Sequence, residues 1–374
     1  MTIRPPAEIG MAADDVDTPA LLVDLDAFEH NVALMAKMVA SFGVNHRPHA
    51  KTHKSADVAR RQIAAGAVGQ CCQKVGEAEV LVAGGIQDVL VSNQIVGTRK
   101  LNRLAALAKQ ARIGVCVDDA GNVEDINAAA QRFGAKIEVL VEIDIGAGRC
   151  GVVPGKAAVE LAKRIDAASN LSFGGLQAYQ GRAQHIRGHG ERKVAIDKAG
   201  ALVKETVDQL SAAGLACRLV TGAGTGTFQF EAGSGIWNEL QAGSYCFMDA
   251  DYALNLGEEG EFFDTFRQSL FVLATVMSHP AKDRAVLDAG HKAASIDSGL
   301  PRIADLADVT YSGASDEHGS LVLGPGAPDI KLGDKVRLIP SHCDPTVNLH
   351  DWYVGVRGGV VETLWPVGAR GAAF

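Results

Sequence analysis

Short runs of β-favouring residues alternate with amphipathic helical patterns from about residue 20 to about residue 250 of this 374-residue chain. Nine segments have the composition of strands: 21–25, 46–51, 69–75, 89–93, 113–118, 137–144, 173–179, 218–221 and 244–249. The helical patterns between them include 27–42, 55–65, 99–111, 159–168 and 194–213. Residues 139–143 form a nearly continuous apolar run, which is typical of a strand that is covered on both faces of its sheet.

Regular strand–helix alternation over this length predicts an α/β fold, a (β/α)8 TIM-type barrel. Such a barrel has eight strands, so at least one of the nine segments is misassigned or lies outside the barrel. A doubly wound open sheet is the alternative that the same alternation allows.

The pattern changes after about residue 257, where helical periodicity fades and short strands separated by turn residues follow. These strand-like segments are 270–278, 285–288, 309–312, 320–323, 335–340, 352–357 and 359–365. They predict a C-terminal all-β domain. We therefore expect the barrel over residues 18–257 and the β domain over residues 258–374. Residues 1–17 would form a lead-in or a strand of the β domain.

Charge and composition exclude several classes of protein. A net charge of −8 with no basic block argues against nucleic-acid binding. The longest apolar runs, such as residues 271–277, are too short to span a bilayer, so no membrane partner is expected. No basic segment followed by an apolar run opens the chain, so we expect no signal peptide. The seven cysteines lack the spacing of a zinc site or a disulfide framework, which favours a reducing cytoplasm.

Lys51 ends a strand-like run and precedes a helical pattern. In a barrel this position is the C-terminal rim, where catalytic groups gather. A partly buried lysine at the rim can lose its proton readily and form a Schiff base with a carbonyl group. The alternative is a surface lysine in a polar loop with Lys54, and composition alone leaves both interpretations open.

A glycine-rich segment, Thr221-Gly222-Ala223-Gly224-Thr225-Gly226-Thr227, follows a later strand-like run. Small residues let backbone N–H groups converge on an anion, and the hydroxyl groups add donors, so the segment fits a phosphate-binding loop. It lacks the lysine of a P-loop. A plain glycine-rich turn is the alternative.

Two further strand ends carry candidate polar groups. Arg149 lies just beyond the run 137–144. A guanidinium beside a pyridine nitrogen would keep that nitrogen unprotonated, because it can only donate hydrogen bonds. The alternative is an arginine that ties down a rim loop.

Tyr179 ends the run 173–179, and His185 follows six residues later. This histidine is either a general base near neutral pH or a structural residue.

His342 and Asp344 place an imidazole and a carboxylate on the same side of the chain if their segment is extended. Such a pair favours Mg²⁺, Mn²⁺ or a similar divalent ion. Because a His-x-Asp pattern often arises by chance, the pair indicates a metal site only together with other features.

The order of these segments resembles that of the fold-type III pyridoxal-phosphate enzymes, the alanine racemase-like group, and within it the D-threonine aldolase branch. The similar segments are 17–19, 47–51, 71–75, 142–152, 175–181, 222–226, 239–251 and 340–351, which together span nearly the whole chain. Residues 296–301 and 350–357 are most similar to 3-hydroxy-D-aspartate aldolases. Residues 47–51 are closer to D-threonine aldolases proper. The two sets of segments therefore favour different substrates.

This resemblance implies a role for each candidate residue. Lys51 would hold pyridoxal 5'-phosphate as a Schiff base, Arg149 would face the pyridine nitrogen, and His185 would take the proton from the substrate β-hydroxyl group. The other implied contacts are those of the cofactor with Gln73, Tyr179, Thr221, Gly222, Gly224 and Thr225, the last three holding the phosphate.

The resemblance also implies a divalent metal, Mg²⁺ or Mn²⁺, bound by His342 and Asp344. The related D-serine dehydratases carry His-x-Cys at their metal site and prefer zinc. Here Cys343 lies in the middle position and Asp344 in the second ligand position. That departure argues against a dehydratase.

The implied reaction is retro-aldol cleavage of a D-β-hydroxy-α-amino acid to glycine and an aldehyde. Metal-assisted dehydration of the same amino acids is one alternative, and a non-catalytic pyridoxal-phosphate carrier is another. A 3-hydroxyaspartate substrate would need an additional cation, for which Arg182, Arg187 and His318 are candidates. Enzymes of this group are typically homodimers, so a homodimer is expected.

Overall fold

The structure, a computed structural model, describes residues 4–374, and its strands form two sheets. The first strand, β1 (Ala20–Asp24), belongs to the second sheet. The strands of the first sheet are β2 (Asn45–His46), β3 (Gln70–Cys72), β4 (Asp88–Gln94), β5 (Arg112–Val117), β6 (Ile137–Glu142), β7 (Leu171–Gln177), β8 (Leu219–Gly222) and β9 (Glu239–Leu240).

The first sheet is a parallel barrel. Its strands are neighbours in the order β2-β9-β8-β7-β6-β5-β4-β3. A parallel bridge between His49 and Cys71 joins the two ends of this order and closes the sheet. The predicted (β/α)8 TIM-type barrel is confirmed, and the open-sheet alternative is wrong.

Eight helices follow β1 and the barrel strands. They are α1 (Leu25–Phe42), α2 (Ala56–Ala64), α3 (Val75–Ala83), α4 (Thr98–Leu107), α5 (Ala120–Phe133), α6 (Lys156–Ala167), α7 (His189–Ala212) and α8 (Phe228–Gly233). Local sequence sets the ends of α1: the Asp24 carboxylate accepts from the Ala27 N–H at 3.0 Å, and Gly43 ends the helix at a φ of 69°.

Among the described residues, 4–374, no helix is long and apolar enough to cross a membrane.

Two of the nine predicted barrel strands were wrong. Segment 21–25 corresponds to β1, which pairs with strands of the second sheet. Segment 244–249 is not a strand but begins with a short 3₁₀ helix, Ser244–Cys246. Both segments are buried apolar runs, and such runs do not reveal which sheet, or which kind of backbone, buries them. The strand that the sequence analysis missed is β9, which has only two residues.

The second sheet forms the β domain. Its remaining strands are β10 (Leu270–Ala281), β11 (Arg284–Leu287), β12 (Arg302–Ile303), β13 (Val309–Ala314), β14 (Gly319–Leu323), β15 (Lys335–Ile339), β16 (Trp352–Arg357) and β17 (Val360–Pro366). The main order is β13-β14-β11-β10-β1-β16-β17, with β15 paired to β10 and β12. Ala12 bridges to Val360, so the segment before β1 also contacts this sheet. One short helix, α9 (Cys343–Val347), interrupts the predicted all-β pattern.

A buried ion pair lies inside the barrel. The Arg47 Nε atom is 2.9 Å from Glu239 Oε1, and its Nη1 atom is 2.6 Å from Asp88 Oδ1. Both Arg47 and Glu239 are almost fully buried. Buried charges are stable only when they are paired, so these strands are tied together by electrostatics as well as by the sheet.

We expect Arg47→Met to destabilise the protein by about 3–5 kcal/mol, because it leaves the buried Glu239 carboxylate without its cationic partner. The measurement is the shift of the urea unfolding midpoint. Arg112→Met is the matched control, since Arg112 also contacts Asp88, at 3.2 Å, but is 58% exposed. The control should cost no more than about 1 kcal/mol. Equal shifts for the two variants would contradict the prediction.

Candidate functional site

A pocket opens where the barrel strands end at their carboxyl termini, as expected for this fold. It brings together six residues that the sequence analysis selected: Lys51, Gln73, Arg149, Tyr179, Gly224 and Thr225. Each of these residues follows a different barrel strand, except for the last two, which follow β8. The pocket also contains residues that were not selected: His49, Ser92, Gln241, Ser244 and Tyr252.

Lys51 lies in the turn after β2, and its Nζ atom contacts Asp344 Oδ2. The lysine side chain keeps 40% of its exposure, whereas the Asp344 side chain is largely buried. Burial by itself would lower the pKa of Lys51, but the Asp344 carboxylate outweighs it and raises that pKa above its ordinary value. The contact joins the barrel to the β domain across 293 residues of sequence.

His49 lies directly beside this lysine. Its Nδ1 atom accepts from the Lys51 backbone N–H at 3.3 Å. Its Nε2 atom is 2.8 Å from the Gln73 side-chain amide and 3.2 Å from the Ser92 hydroxyl group. Burial, together with the charge of Lys51, lowers the pKa of His49 well below its ordinary value, so the ring is neutral. In the sequence, only the position of His49 two residues before Lys51 could have indicated that it lies in the pocket.

The glycine-rich loop after β8 packs closely against its neighbours and leaves one buried hydroxyl group unpaired. A side chain at Gly222 would collide with the carbonyl oxygen of Ala178, and one at Gly224 would collide with Gln184. Ala223 adopts a φ of 70°, a left-handed conformation that is costly for an alanine and is typical of functional loops. The Thr225 hydroxyl group is buried and has no hydrogen-bond partner. A phosphate oxygen would satisfy that hydroxyl group.

Thr221 does not reach the pocket. Its hydroxyl group donates to Glu239 Oε1 at 3.0 Å and accepts from the Gln241 amide at 2.9 Å. Gln241 in turn donates to Gln177 at 2.7 Å. The Thr221 side chain thus belongs to the polar network inside the barrel, below the loop that it was predicted to join. Alternation along β8 turns its side chain inward, which the motif by itself could not show.

Arg149 lies at the mouth of the pocket, with 55% of its side chain exposed. One of its terminal nitrogens is 3.7 Å from Glu142 Oε1, and its guanidinium carbon is 5.7 Å from the centre of the Tyr179 ring. Burial raises the pKa of Glu142, whose other oxygen accepts from Gln94 at 2.6 Å. The guanidinium is therefore held over the pocket by one carboxylate and one aromatic ring.

His185 ends a 3₁₀ helix, Gly181–His185, and lies on the surface beside the pocket. Its Nδ1 atom is 2.6 Å from Asp251 Oδ2, and its ring stacks on Tyr252 with the ring centres 5.7 Å apart. The other Asp251 oxygen contacts Arg187, which also donates to Asn255 at 2.9 Å. The Asp251 carboxylate can accept a hydrogen bond from Nδ1–H, which leaves the Nε2 lone pair free. The sequence analysis did not identify Asp251 as the partner, because 66 residues separate it from His185.

His342 and Asp344 lie at the start of α9, not in an extended segment. His342 has an extended backbone at the N-cap position, without a side-chain capping bond, whereas Cys343 and Asp344 are already helical. The His342 Nδ1 atom is 2.8 Å from Asp297 Oδ2. Burial tends to raise the pKa of Asp344, but the charges of Lys51 and His342 hold it well below its ordinary value. The two candidate ligands are therefore close enough to interact electrostatically.

The three candidate cations for a second substrate carboxylate lie in different environments. Arg187 is occupied by Asp251. Arg182 is exposed and approaches Gly148 in the loop after β6. His318 lies at an exposed turn of the β domain, with its Nδ1 atom 3.4 Å from the Ser315 hydroxyl group.

Comparison with known proteins agrees with this geometry. Residues 23–251 match the family described as the alanine racemase N-terminal domain, and residues 269–356 match a putative serine dehydratase domain. A 3-hydroxy-D-aspartate aldolase from Paracoccus denitrificans (strain Pd 1222) is 52% identical over 99% of this chain and 96% of its own length.

The chain belongs to the alanine racemase-like family of D-threonine and 3-hydroxy-D-aspartate aldolases. Another member, a D-threonine aldolase from an Arthrobacter species, is 47% identical over 99% of this chain and 97% of its own length. The crystal structure of a D-threonine aldolase from Filomicrobium marinum superposes with a TM-score of 0.96 at 51% identity and covers both chains completely. A D-threo-3-hydroxyaspartate dehydratase from Delftia sp. (strain HT23) is more distant, with 30% identity over 88% of this chain and 92% of its own.

Pyridoxal phosphate is the cofactor implied by this family, and the pocket fits it. Lys51 supplies a primary amine, and the loop after β8 supplies small residues and the unpartnered Thr225 hydroxyl group for a phosphate. Arg149 supplies a hydrogen-bond donor at the mouth of the pocket. These groups match the three parts of the cofactor: its aldehyde, its phosphate and its ring nitrogen.

Proposed function

We propose that this chain is a carbon–carbon lyase of the aldehyde-lyase type, acting on D-β-hydroxy-α-amino acids with pyridoxal phosphate and a divalent metal. 3-Hydroxy-D-aspartate would give glycine and glyoxylate, and D-threonine would give glycine and acetaldehyde. The observation that carries the proposal is the meeting of Lys51 with Asp344 at the barrel rim. It brings together an amine that could bind the cofactor and a carboxylate that could bind a metal. Full-length similarity to aldolases of both names supports the reaction class.

Lys51, Gly224 and Thr225 would hold the cofactor by its two ends, the aldehyde and the phosphate. When bound, pyridoxal phosphate supplies the electron sink for the pair of electrons released when the Cα–Cβ bond breaks. Arg149 would donate to the ring nitrogen and keep it unprotonated, since a guanidinium has no acceptor. That would moderate the electron sink and so limit racemisation and β-elimination, which need a long-lived carbanion.

His342 and Asp344 would bind the metal, whose chemistry when bound is Lewis-acid activation of the substrate β-hydroxyl group. Among residues 4–374, no group of three or more His, Cys, Asp or Glu side chains is arranged to hold an ion. Two protein ligands still fit Mg²⁺ or Mn²⁺, which commonly keep water or substrate oxygens in their other positions. The Asp344 carboxylate is largely buried and would be stabilised by a bound cation.

His185 would remove the proton from the substrate β-hydroxyl group through its Nε2 atom. The short contact from Nδ1 to Asp251 supports this assignment, because it fixes the ring orientation and the tautomer. Arg187 contacts the second Asp251 oxygen and so helps to hold the carboxylate against His185. Arg187 is therefore a poor choice for binding a substrate carboxylate, and the exposed Arg182 remains the better candidate of the two.

A product assay tests this function. The purified protein with pyridoxal phosphate and either Mg²⁺ or Mn²⁺ should release glycine from 3-hydroxy-D-aspartate and from D-threonine, together with glyoxylate or acetaldehyde. The ratio of the two kcat/KM values would identify the preferred substrate. Ammonia and a keto acid without glycine would instead establish a dehydratase. Cofactor binding with no turnover would indicate a carrier protein.

We expect Asp251→Asn to lower kcat by roughly a hundredfold, within the range that general-base catalysis contributes. KM and bound cofactor should change little, because Asp251 contacts His185 and Arg187 and is not one of the residues lining the pocket. Steady-state kinetics together with the absorbance of the bound cofactor measures both. Asp264→Asn, at an exposed position, is the control and should behave like the wild type. A variant with an unchanged kcat would remove Asp251 from the mechanism.

We also propose that the active form is a homodimer, as the family resemblance implies. Light scattering coupled to size-exclusion chromatography should give twice the mass of one chain. A monomer with full activity would contradict this.

A further inference from the structure

The loop that follows β11 is fastened to the segment that carries the two candidate metal ligands. The Ser341 hydroxyl group donates to the Ser295 carbonyl oxygen at 3.0 Å, and the Ser295 N–H donates to the Thr346 hydroxyl oxygen at 3.2 Å. The Thr346 hydroxyl group donates in turn to the His342 carbonyl oxygen at 2.8 Å. A third tie joins His350 Nε2 to the Ala293 carbonyl oxygen at 2.7 Å. Loop and ligand segment therefore form one hydrogen-bonded unit.

Within this loop, Asp297 faces the ring of His342. The Asp297 Oδ2 atom is 2.8 Å from His342 Nδ1. The Ser295 hydroxyl group donates to the other oxygen, Oδ1, at 2.7 Å, and the Ser298 hydroxyl group donates to Oδ2 at 3.3 Å. The carboxylate is therefore held in place by its own loop while it accepts from the imidazole. Neither the proposed proton transfer nor the proposed cofactor binding involves Asp297.

An ionised carboxylate on Nδ1 has a definite consequence for the ring. Nδ1 carries the hydrogen and donates a hydrogen bond to Asp297, so Nε2 keeps its lone pair. Histidines that bind metals generally donate their other N–H to a carboxylate or a carbonyl group, which fixes the tautomer and raises the basicity of the coordinating nitrogen.

We propose that Asp297 is a positioning residue of the metal site. It holds the His342 ring so that Nε2, together with Asp344, faces the divalent cation. This rests on the metal site of the proposed function and deepens it. The loop after β11 is then a functional part of the site, although Asp297 lies 45 residues before the histidine that it orients.

The test is the affinity of the cofactor-loaded protein for Mn²⁺, measured from the free-ion signal by electron paramagnetic resonance, without substrate or turnover. Asp297→Ala should raise the Mn²⁺ Kd by about 10- to 100-fold, the usual cost of losing such a partner. Asp297→Asn keeps an acceptor for the Nδ1 proton and should recover part of the affinity. Asp329→Ala removes the same charge from a solvent-exposed position of the β domain and should bind Mn²⁺ as the wild type does.

His342→Ala separates the two ways in which the proposal can fail. If His342→Ala weakens Mn²⁺ binding but Asp297→Ala stays within twofold of the wild type, Asp297 has no positioning role, and the metal site stands. If His342→Ala itself leaves the Kd unchanged, both the metal site and the role of Asp297 are wrong. Circular dichroism of each variant checks the fold, and Asp297→Asn, the nearly isosteric change, decides the matter if Asp297→Ala is misfolded.

Discussion

Lys51→Ala is expected to lose the visible absorbance of the bound cofactor and to lower the rate of glycine release by more than about a thousandfold. The reason is that alanine has no amine for the covalent bond to the cofactor, and losing a covalent catalyst removes most of the catalytic effect. Absorbance spectra of the dialysed protein and the product assay measure the two effects independently.

Lys51→Arg is the matched variant, because it keeps the positive charge that Asp344 contacts. An arginine is not deprotonated in proteins and so does not form the covalent bond. We expect this variant to fold as the wild type does and to be as inactive as the alanine variant. Activity close to that of the wild type in Lys51→Arg would mean that the lysine serves only as the ion-pair partner of Asp344.

His185→Ala is expected to lower kcat by about 10²- to 10⁴-fold while the cofactor absorbance is retained. The histidine ring lies beside the pocket and stacks on Tyr252, so its removal takes away a proton acceptor without touching the residues proposed to hold the cofactor. The measurements are steady-state kinetics and absorbance on the same preparation.

His189→Ala is the control, since His189 begins α7 and its ring packs against Phe230 in a neighbouring pocket. Full activity in His185→Ala would show that another group, or metal-bound water, accepts the proton. A double variant with Asp251→Asn adds a check. If Asp251 acts only through His185, the second substitution should add little to the loss already caused by the first.

Most of the fold was predictable because strand–helix alternation has a clear periodic signal. The errors concern segments in which no periodic pattern distinguishes the actual structure from the predicted one. β9 has two residues, too few to show any period, and the buried segment 244–249 has a strand-like composition although it begins as a 3₁₀ helix. β1 has the composition of a barrel strand but pairs with β10 and β16, since pairing depends on which edges meet in space.

Part of the candidate site was likewise predictable from the sequence, and part was not. Residues at the carboxyl ends of barrel strands were predicted to converge, and Lys51, Gln73, Arg149, Tyr179, Gly224 and Thr225 do so. Their roles remain proposals. Thr221 was selected because it adjoins the glycine-rich loop, and its contacts lie inside the barrel instead.

The sequence by itself determined the succession of strands and helices, the barrel, and the family to which the chain belongs, because these follow from local patterns and from the order of motifs along the chain. Only the tertiary structure decided which acid lies beside each candidate site residue: Asp344 beside Lys51, Asp251 beside His185 and Asp297 beside His342. Each partner lies 45 or more residues away. A hydrogen bond of under 3 Å depends on how the barrel and the β domain fold around the pocket, which no local pattern encodes.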